Sequence, residues 1–188
     1  MTTTKNLNNS SSSLTSQATR LKIKIGVSSC LLGYKVRYDG EHQFNPSVKQ
    51  LSDLDFKLIP FCPEVDIGLG VPRPKIQLVK RGTQIICLDK ATYQIDYTQQ
   101  LIDACNQQKK WLSQVSGYIF KSKSPSCGLS RVKTDDNGSL IPSGEGIFAN
   151  QVKYLFPDLP IIEEDSLAHE DLARQFIDSV IKYHQITH

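Results

Sequence analysis

Short apolar runs alternate with longer amphipathic stretches along most of this chain. The short runs are rich in β-branched and aromatic residues and have the length of strands; they lie at residues 21–27, 56–61, 116–120 and 159–162. Two longer stretches, residues 97–115 and 166–183, place apolar side chains at helical spacing, with Ser166 as the N-cap of the second. Strands separated by helices predict an α/β fold, a compact domain with a mainly parallel sheet flanked by helices.

Proline and turn signals add local detail to this pattern. Proline suits the first turn of a helix, so a short helix is expected after Pro46. Two β-type runs, residues 76–79 and 84–88, flank Lys-Arg-Gly-Thr and predict a β-hairpin. Residues 135–138 read Asp-Asp-Asn-Gly, a strong turn signal, and a further helix is expected over residues 146–156.

The composition indicates how many domains the chain can form and which class of binding partner it suits. The chain has 188 residues, of which 39% are hydrophobic, enough for the core of one ordinary domain. Residues 1–20 are rich in Ser, Thr and Asn and predict a disordered polar tail, so residues 21–188 are expected to form a single α/β domain. The formal net charge is only +3 and no basic run exceeds two residues. This balance argues against extended nucleic-acid binding and favours a small-molecule partner.

The number of cysteines and the polar N-terminus indicate the cellular compartment in which the protein is expected. No apolar run approaches the roughly 20 residues that a membrane helix needs, and the N-terminus predicts no secretory signal. Five cysteines in such a chain are typical of a reducing cytoplasm, where thiols stay free for metal binding or catalysis. We therefore expect a cytoplasmic protein without membrane partners and without a disulfide framework.

Three of the predicted strands are each followed by a cysteine, namely Cys30, Cys62 and Cys127. In open α/β sheets, ligands bind in the crevice outside the carboxyl ends of the strands, so these thiols are expected to face a ligand. Each cysteine has Gly, Ser or Pro beside it, residue types common in loops that let backbone N–H groups approach a ligand closely. Such N–H groups are expected to lower the thiol pKa and favour soft metals or iron–sulfur clusters.

The residues alone leave three interpretations of these cysteines open. In the first interpretation, the three thiolates bind a [4Fe–4S] cluster in which one iron has no protein ligand. In the second, they bind a zinc ion whose fourth position is open to water. The zinc alternative lacks support because the H-x-E and P-C-x-x-C patterns of zinc deaminases are absent. The third interpretation is that the cysteines are small core residues, which we also expect of Cys87 and Cys105.

Three motifs in this order carry a family resemblance. They are CLLGYKVRYDG at residues 30–40, FCPEVDIGLGVPR at residues 61–73 and KSKSPSCG at residues 121–128. Together they resemble the thiouracil desulfidase family over about residues 23–156, nearly all of the predicted domain. The resemblance implies a [4Fe–4S] cluster on Cys30, Cys62 and Cys127, whose free iron takes the sulfur of a thionated pyrimidine such as 2-thiouracil. The implied reaction is non-redox: water supplies the oxygen, and the products are uracil and hydrogen sulfide.

The resemblance also implies catalytic residues, which by motif position are Glu64 and Ser124. A carboxylate two residues after a ligand suits a general base, whereas its alternative role is to stabilise the first turn of the helix expected from Pro63. Ser124 suits substrate orientation or proton relay, with a turn role before Pro125 as the alternative.

Four further residues within the motifs are assigned by their chemistry. Asp39 is a candidate second acid or base, and Arg37, Arg73 and Ser126 are candidate substrate-binding residues; a buried Arg–Asp pair that holds the loop is the alternative for two of them. The competing functions are another cluster-dependent sulfur-transfer or dehydratase enzyme, and a non-catalytic metal-binding or redox-sensing protein.

Overall fold

A computed structural model describes residues 22–188, and the predicted tail at residues 1–20 lies outside this range. The strands are β1 (Ile23–Ser28), β2 (Phe56–Phe61), β3 (Ile76–Arg81), β4 (Gln84–Asp89), β5 (Tyr118–Phe120), β6 (Val132–Asp136), β7 (Ser139–Gly144) and β8 (Ile161–Glu163). The α-helices are α1 (Pro46–Gln50), α2 (Pro63–Asp66), α3 (Thr98–Gln107), α4 (Lys109–Leu112), α5 (Ile147–Leu155) and α6 (Glu170–Thr187). Short 3₁₀-helices span Ser29–Leu32, Leu51–Leu54 and Glu164–Ala168.

The first sheet is parallel throughout and has the strand order β2-β1-β5-β8. Its register pairs Ser28 with Phe61 at the carboxyl ends of β1 and β2, and Phe120 with Glu163 at the carboxyl ends of β5 and β8. The segments that follow these four strands therefore begin at one edge of the sheet. This arrangement confirms the predicted α/β class and brings the cysteine-bearing segments together.

A second sheet of order β4-β3-β6-β7 consists of two hairpins joined by parallel pairing of β3 and β6. The predicted hairpin at β3 and β4 and the turn at residues 135–138 are confirmed, but the sequence analysis did not predict that β6 and β7 form strands. The segment Val132–Asp136 carries three charged residues, and Ser139–Gly144 contains a proline, so neither shows the apolar alternation of a strand.

Helices cover both faces of the parallel sheet. Ile25 and Val27 face one way, into a core cluster with Phe176 and Val180 of α6. Alternate side chains of β5 point the other way, into a cluster built around α3, α4 and α5. The second sheet packs its apolar side against α3 and α5 in a third cluster. Two helices, α3 and α5, thus lie between the sheets.

Two helix boundaries differ from the prediction. The expected helix at residues 97–115 is broken into α3 and α4, and the last helix begins at Glu170 with His169 as N-cap instead of Ser166. Residues 164–168 form a 3₁₀ turn in which Glu164 is buried and accepts a hydrogen bond from the backbone N–H of Ser122. No helix within residues 22–188 combines the length and apolar character needed to cross a membrane.

Candidate metal centre and active site

The three strand-end cysteines line one cavity of about 690 Å³. Cys30 lies in the 3₁₀ turn after β1, Cys62 is the N-cap residue of α2, and Cys127 lies in the loop after β5. All three are free thiols, and Cys30 and Cys127 are buried, with 8% and 5% of their surface exposed. The other predicted site residues that line this cavity are Arg37, Glu64, Arg73, Ser124 and Ser126.

The loop that carries Cys127 is shaped by its own serine. The Ser124 hydroxyl accepts hydrogen bonds from the backbone N–H groups of Ser126 and Cys127, at 3.4 and 3.2 Å. Gly146, at the start of α5, allows close approach on the other side. A Cβ added to Gly146 would lie 2.6 Å from the nitrogen of Cys127. Ser124 therefore does hold the turn, as one of its two predicted roles required, and its hydroxyl still lines the cavity.

A chain of polar contacts connects the predicted catalytic residues to Cys127. The Ser126 hydroxyl donates to Glu64 Oε1 at 2.7 Å and lies 3.5 Å from Cys127 Sγ. The other carboxylate oxygen, Oε2, accepts from Arg73 Nε and Nη2 at 2.9 and 2.8 Å. The Arg73 side chain is only 4% exposed and also donates to the carbonyl of Gly70. Arg73 is therefore engaged in orienting Glu64, while Ser126 links the carboxylate to a cysteine sulfur.

The Arg37–Asp39 pair lies beside this chain. Arg37 Nη2 donates to Asp39 Oδ2 at 3.4 Å, whereas Arg37 Nε is buried and makes no hydrogen bond. Arg37 lines the cavity, but Asp39 is not among the lining residues and also accepts from the backbone N–H of Glu41. The pairing matches the loop-holding alternative for Asp39.

A buried ion pair that the sequence analysis missed holds the start of the cysteine loop. The Lys121 ammonium donates to the Glu164 carboxylate, and these side chains are 17% and 7% exposed. Glu164 also accepts from the backbone N–H of Ser122 at 2.6 Å, and Glu163 accepts from that of Leu129 at 2.7 Å. The acidic run after β8 was the available signal, because β8 lies next to β5 in the sheet.

Basic side chains outnumber acidic ones around the cavity. Glu64 and Asp165 are the acidic residues among those that line it, and the basic lining residues are Arg37, Arg73, Lys75, Lys90, Lys121, Lys123, Arg131 and Lys133. Lys75 lies over the Tyr38 ring, 4.6 Å from its centroid. The cavity therefore offers a positive field to the negative charge of thiolate sulfurs.

The thiols differ from expectation in their acidity. Burial, reinforced by the nearby Cys62, raises the pKa of Cys30 to about 11. Burial also raises the pKa of Cys62, although the backbone N–H groups of Val65 and Glu64 act in the opposite direction. Burial raises the pKa of Cys127 further still, against the hydrogen bond from Ser126. The expected lowering by N–H groups is wrong, because desolvation of the thiolate outweighs it.

The donor set fits a cluster better than a single ion. Within residues 22–188, no three His, Cys, Asp or Glu side chains converge closely enough to hold one metal ion. A cubane cluster binds its cysteine ligands at separate corner irons, so it suits thiols that surround a cavity without meeting at a point. Cys87 and Cys105 are fully buried elsewhere and do not line the cavity, as expected for core residues.

Comparison with known proteins agrees with this geometry. The family described as 2-thiouracil desulfurase matches residues 25–164. An uncharacterized protein of Bacillus subtilis (strain 168), YbbK, is 27% identical over 136 residues, which cover 68% of this chain and 87% of that protein. The solved structure of a [4Fe-4S]-dependent thiouracil desulfidase, TudS, matches with a TM-score of 0.63 and 29% identity, over 82% of this chain and 99% of that one. The resemblance drawn from the three motifs is thus confirmed, and the chain belongs to the 2-thiouracil desulfurase family.

Proposed function

We propose that this protein removes the sulfur of a thionated pyrimidine such as 2-thiouracil, using a [4Fe–4S] cluster held by Cys30, Cys62 and Cys127. The TudS structure, described as [4Fe-4S]-dependent, and the three thiols around one cavity support this proposal. When bound, the cluster supplies a Lewis-acidic iron without a protein ligand, which polarises the C=S bond of the substrate. The basic lining of the cavity offsets the negative charge of the three thiolates.

The observation that carries the proposal is the hydrogen bond of 2.7 Å between Ser126 Oγ and Glu64 Oε1, with Ser126 Oγ 3.5 Å from Cys127 Sγ. The Ser126 hydroxyl thus lies between the Glu64 carboxylate, an acid–base group, and the sulfur of Cys127. A carboxylate beside the reacting atoms can take a proton from water and return it to a leaving sulfide.

Glu64 Oε1 is the proton acceptor in this scheme, and Oε2 is occupied by Arg73. The two N–H groups on Oε2 fix the carboxylate plane, so that Oε1 stays directed towards Ser126. The buried Ser126 hydroxyl carries a proton between Glu64 and the neighbourhood of the Cys127 sulfur. The Ser124 hydroxyl lies 3.0 Å from the Ser126 hydroxyl and can extend this proton relay to the cavity.

Arg37 is the substrate-binding candidate that lines the cavity without contacting Glu64, and its side chain is 22% exposed. The guanidinium is a hydrogen-bond donor only, so it suits a carbonyl oxygen of the pyrimidine. Asp39 is assigned to positioning Arg37, which follows from their 3.4 Å separation and from its place outside the cavity lining.

The overall reaction balances without electron transfer. The C=S bond of 2-thiouracil breaks and a C=O bond forms with the oxygen of water. The two protons of that water leave with the sulfur as hydrogen sulfide, so neither an oxidant nor a reductant is consumed. We place this chemistry in the cytoplasm, where a reducing environment keeps all five cysteines in the free form that the structure shows.

The test is anaerobic reconstitution followed by measurement of iron and sulfide per chain and of uracil formed from 2-thiouracil. About four irons per chain are expected for the wild type. Cys127→Ser is expected to lose most of the iron and all activity, whereas Cys105→Ala, which alters a core cysteine outside the cavity, is expected to keep both. A wild type that takes up no iron would refute the proposal. An iron-loaded protein that releases water from a hydroxylated base but no sulfide would favour a dehydratase.

A further inference from the structure

Ser28 is a buried serine of the cavity wall to which the proposed mechanism gives no role. It is the last residue of β1, it is 3% exposed, and it lines the cavity two positions before Cys30. Its hydroxyl oxygen accepts a hydrogen bond from the backbone N–H of Lys121 at 3.0 Å. This hydrogen bond joins the carboxyl end of β1 to the start of the loop that carries Cys127.

The hydroxyl proton of Ser28 is available to a cysteine sulfur. A hydroxyl has one proton and two lone pairs, so an oxygen that accepts from an N–H group still has its own proton to donate. The Ser28 hydroxyl is hydrogen-bonded to the side chain of Cys127. The Lys121 N–H therefore polarises a hydroxyl that donates to the Cys127 sulfur, and successive hydrogen bonds of this kind strengthen one another.

Ser126 presents the other hydroxyl beside the same sulfur, but its proton is engaged elsewhere. Ser126 Oγ is 2.7 Å from Glu64 Oε1 and 3.5 Å from Cys127 Sγ. One proton cannot serve both acceptors fully, and the shorter contact to a carboxylate is the stronger hydrogen bond. Within residues 22–188, Ser28 has no carboxylate among its hydrogen-bond partners, so its proton is not drawn away from the sulfur.

A hydrogen bond to a ligating sulfur changes the electronic properties of an iron–sulfur cluster. It withdraws electron density from the thiolate, which makes the reduction potential of the cluster less negative. The same withdrawal makes the irons stronger Lewis acids, which favours polarisation of a thiocarbonyl. A single buried hydroxyl at Cys127 can therefore affect turnover without touching the substrate.

We propose that Ser28 is a positioning residue whose hydroxyl donates a hydrogen bond to the sulfur of Cys127 and thereby tunes the cluster that this thiolate holds. The inference rests on the proposed function, because it concerns the same [4Fe–4S] cluster. The competing role of Ser28 is structural: its oxygen accepts from Lys121 and fixes the Cys127 loop to β1. Only the donor role changes the electronic properties of a fully loaded cluster.

The experiment compares the reduction potential of the anaerobically reconstituted cluster, its iron–thiolate stretching frequencies in resonance Raman spectra, and turnover of 2-thiouracil. Ser28→Ala removes the hydroxyl. At equal iron content it is expected to show a more negative potential, iron–thiolate bands at higher frequency and a kcat about tenfold lower. Ser29→Ala, the same change at the next buried residue of the cavity lining, is expected to match the wild type.

Two variants of equal shape separate the hydroxyl from the packing around it. Ser28→Thr keeps the hydroxyl and Ser28→Val lacks it, while both add similar bulk at a buried position. The threonine variant is expected to keep the wild-type potential and Raman bands, and the valine variant to match Ser28→Ala. This pair decides the question if Ser28→Ala proves unstable. Wild-type potential and bands in the clusters of the hydroxyl-free variants would overturn the inference and leave only the structural role.

The same measurements distinguish this inference from the proposed reaction. A wild type that holds about four irons per chain but releases no sulfide would refute the reaction, and the potentials of the Ser28 variants would still test the hydrogen bond. A wild type that takes up no iron would overturn both.

Discussion

Replacing Glu64 by glutamine removes the proposed proton acceptor with little change in shape. The amide can still contact both neighbours: its oxygen can accept from Arg73, and its NH₂ group can donate to the Ser126 hydroxyl. What is lost is the carboxylate charge beside Arg73, whose side chain is 4% exposed. We expect this to cost about 1–3 kcal/mol of folding free energy, less than removing the partner altogether.

The effect on the reaction is expected to be larger than the effect on stability. Loss of a positioned acid–base group lowers the rate by about 10²–10⁴, which corresponds to about 2.7–5.4 kcal/mol in activation free energy. KM is expected to change little, because both carboxylate oxygens of Glu64 are already hydrogen-bonded, to Ser126 and Arg73, and are not needed to bind the substrate. Iron content is expected to stay near that of the wild type, since all three cysteines remain.

The assay combines iron and sulfide content, thermal stability and single-substrate kinetics on anaerobically reconstituted protein. Glu41→Gln is the matched control. Glu41 is exposed, pairs with the equally exposed Lys35 and does not line the cavity. Glu41→Gln is expected to have unchanged kcat and iron content. A loss of activity in Glu64→Gln then results from the location of Glu64 and not from a Glu→Gln change as such.

Two results would contradict the reasoning about Glu64 in different ways. Normal iron content with unchanged kcat would show that Glu64 takes no part in proton transfer. Loss of iron together with activity would show that the carboxylate holds the cysteine loop through Ser126, and the acid–base assignment would lose its support.

Three further predictions test the surroundings of the cysteines. Glu164→Gln removes the charge of a buried ion pair and is expected to lower the unfolding free energy by about 1–3 kcal/mol and to reduce iron uptake. Glu170→Gln, in an exposed pair, is expected to leave both unchanged. Denaturant titration and iron analysis are the measurements. Gly146→Ala places a Cβ 2.6 Å from the Cys127 nitrogen and is expected to cost about 1–3 kcal/mol and most of the iron, while Gly70→Ala, where the added Cβ meets nothing, is expected to be silent. Because burial raises the pKa of Cys30 from 9.0 to about 11, its share of the stability of the metal-free protein is complete below pH 9 and is lost as the pH rises towards 11. Cys30→Ala should remove about 2–3 kcal/mol of that loss in unfolding measurements across this range, and an unchanged pH dependence would contradict the assignment.

Much of the site was predictable because it is built from local patterns and one topological rule. Apolar runs followed by Cys30, Cys62 and Cys127 indicated three strands ending on thiols. Parallel pairing of those strands then placed the thiols at one edge of the sheet. The positions of Glu64 and Ser126 followed from their motifs, although the hydrogen bond between them joins residues 62 positions apart and needed the structure.

The remaining features depend on contacts that no local pattern encodes. Lys121 and Glu164 are 43 positions apart and meet only because β5 and β8 are neighbours. The acidity of Cys127 was misjudged because backbone N–H groups can be inferred from Gly and Ser in the sequence, whereas the depth of burial cannot.

Adjacent strands of the parallel sheet each supply different residues of the candidate site. The segments after β1, β2 and β5 bring the thiols, and the segment after β2 also brings Glu64. The last residue of β8, Glu163, and the next residue, Glu164, bring the carboxylates that hold the cysteine loop. Glu64 and Glu164 therefore contact opposite parts of one loop, through Ser126 and Ser122. Loss of activity is expected from a change at either carboxylate, but only a change at Glu164 is expected to lower iron content as well. Iron content measured beside turnover therefore separates the proton-transfer role proposed for Glu64 from the loop-holding role proposed for Glu164.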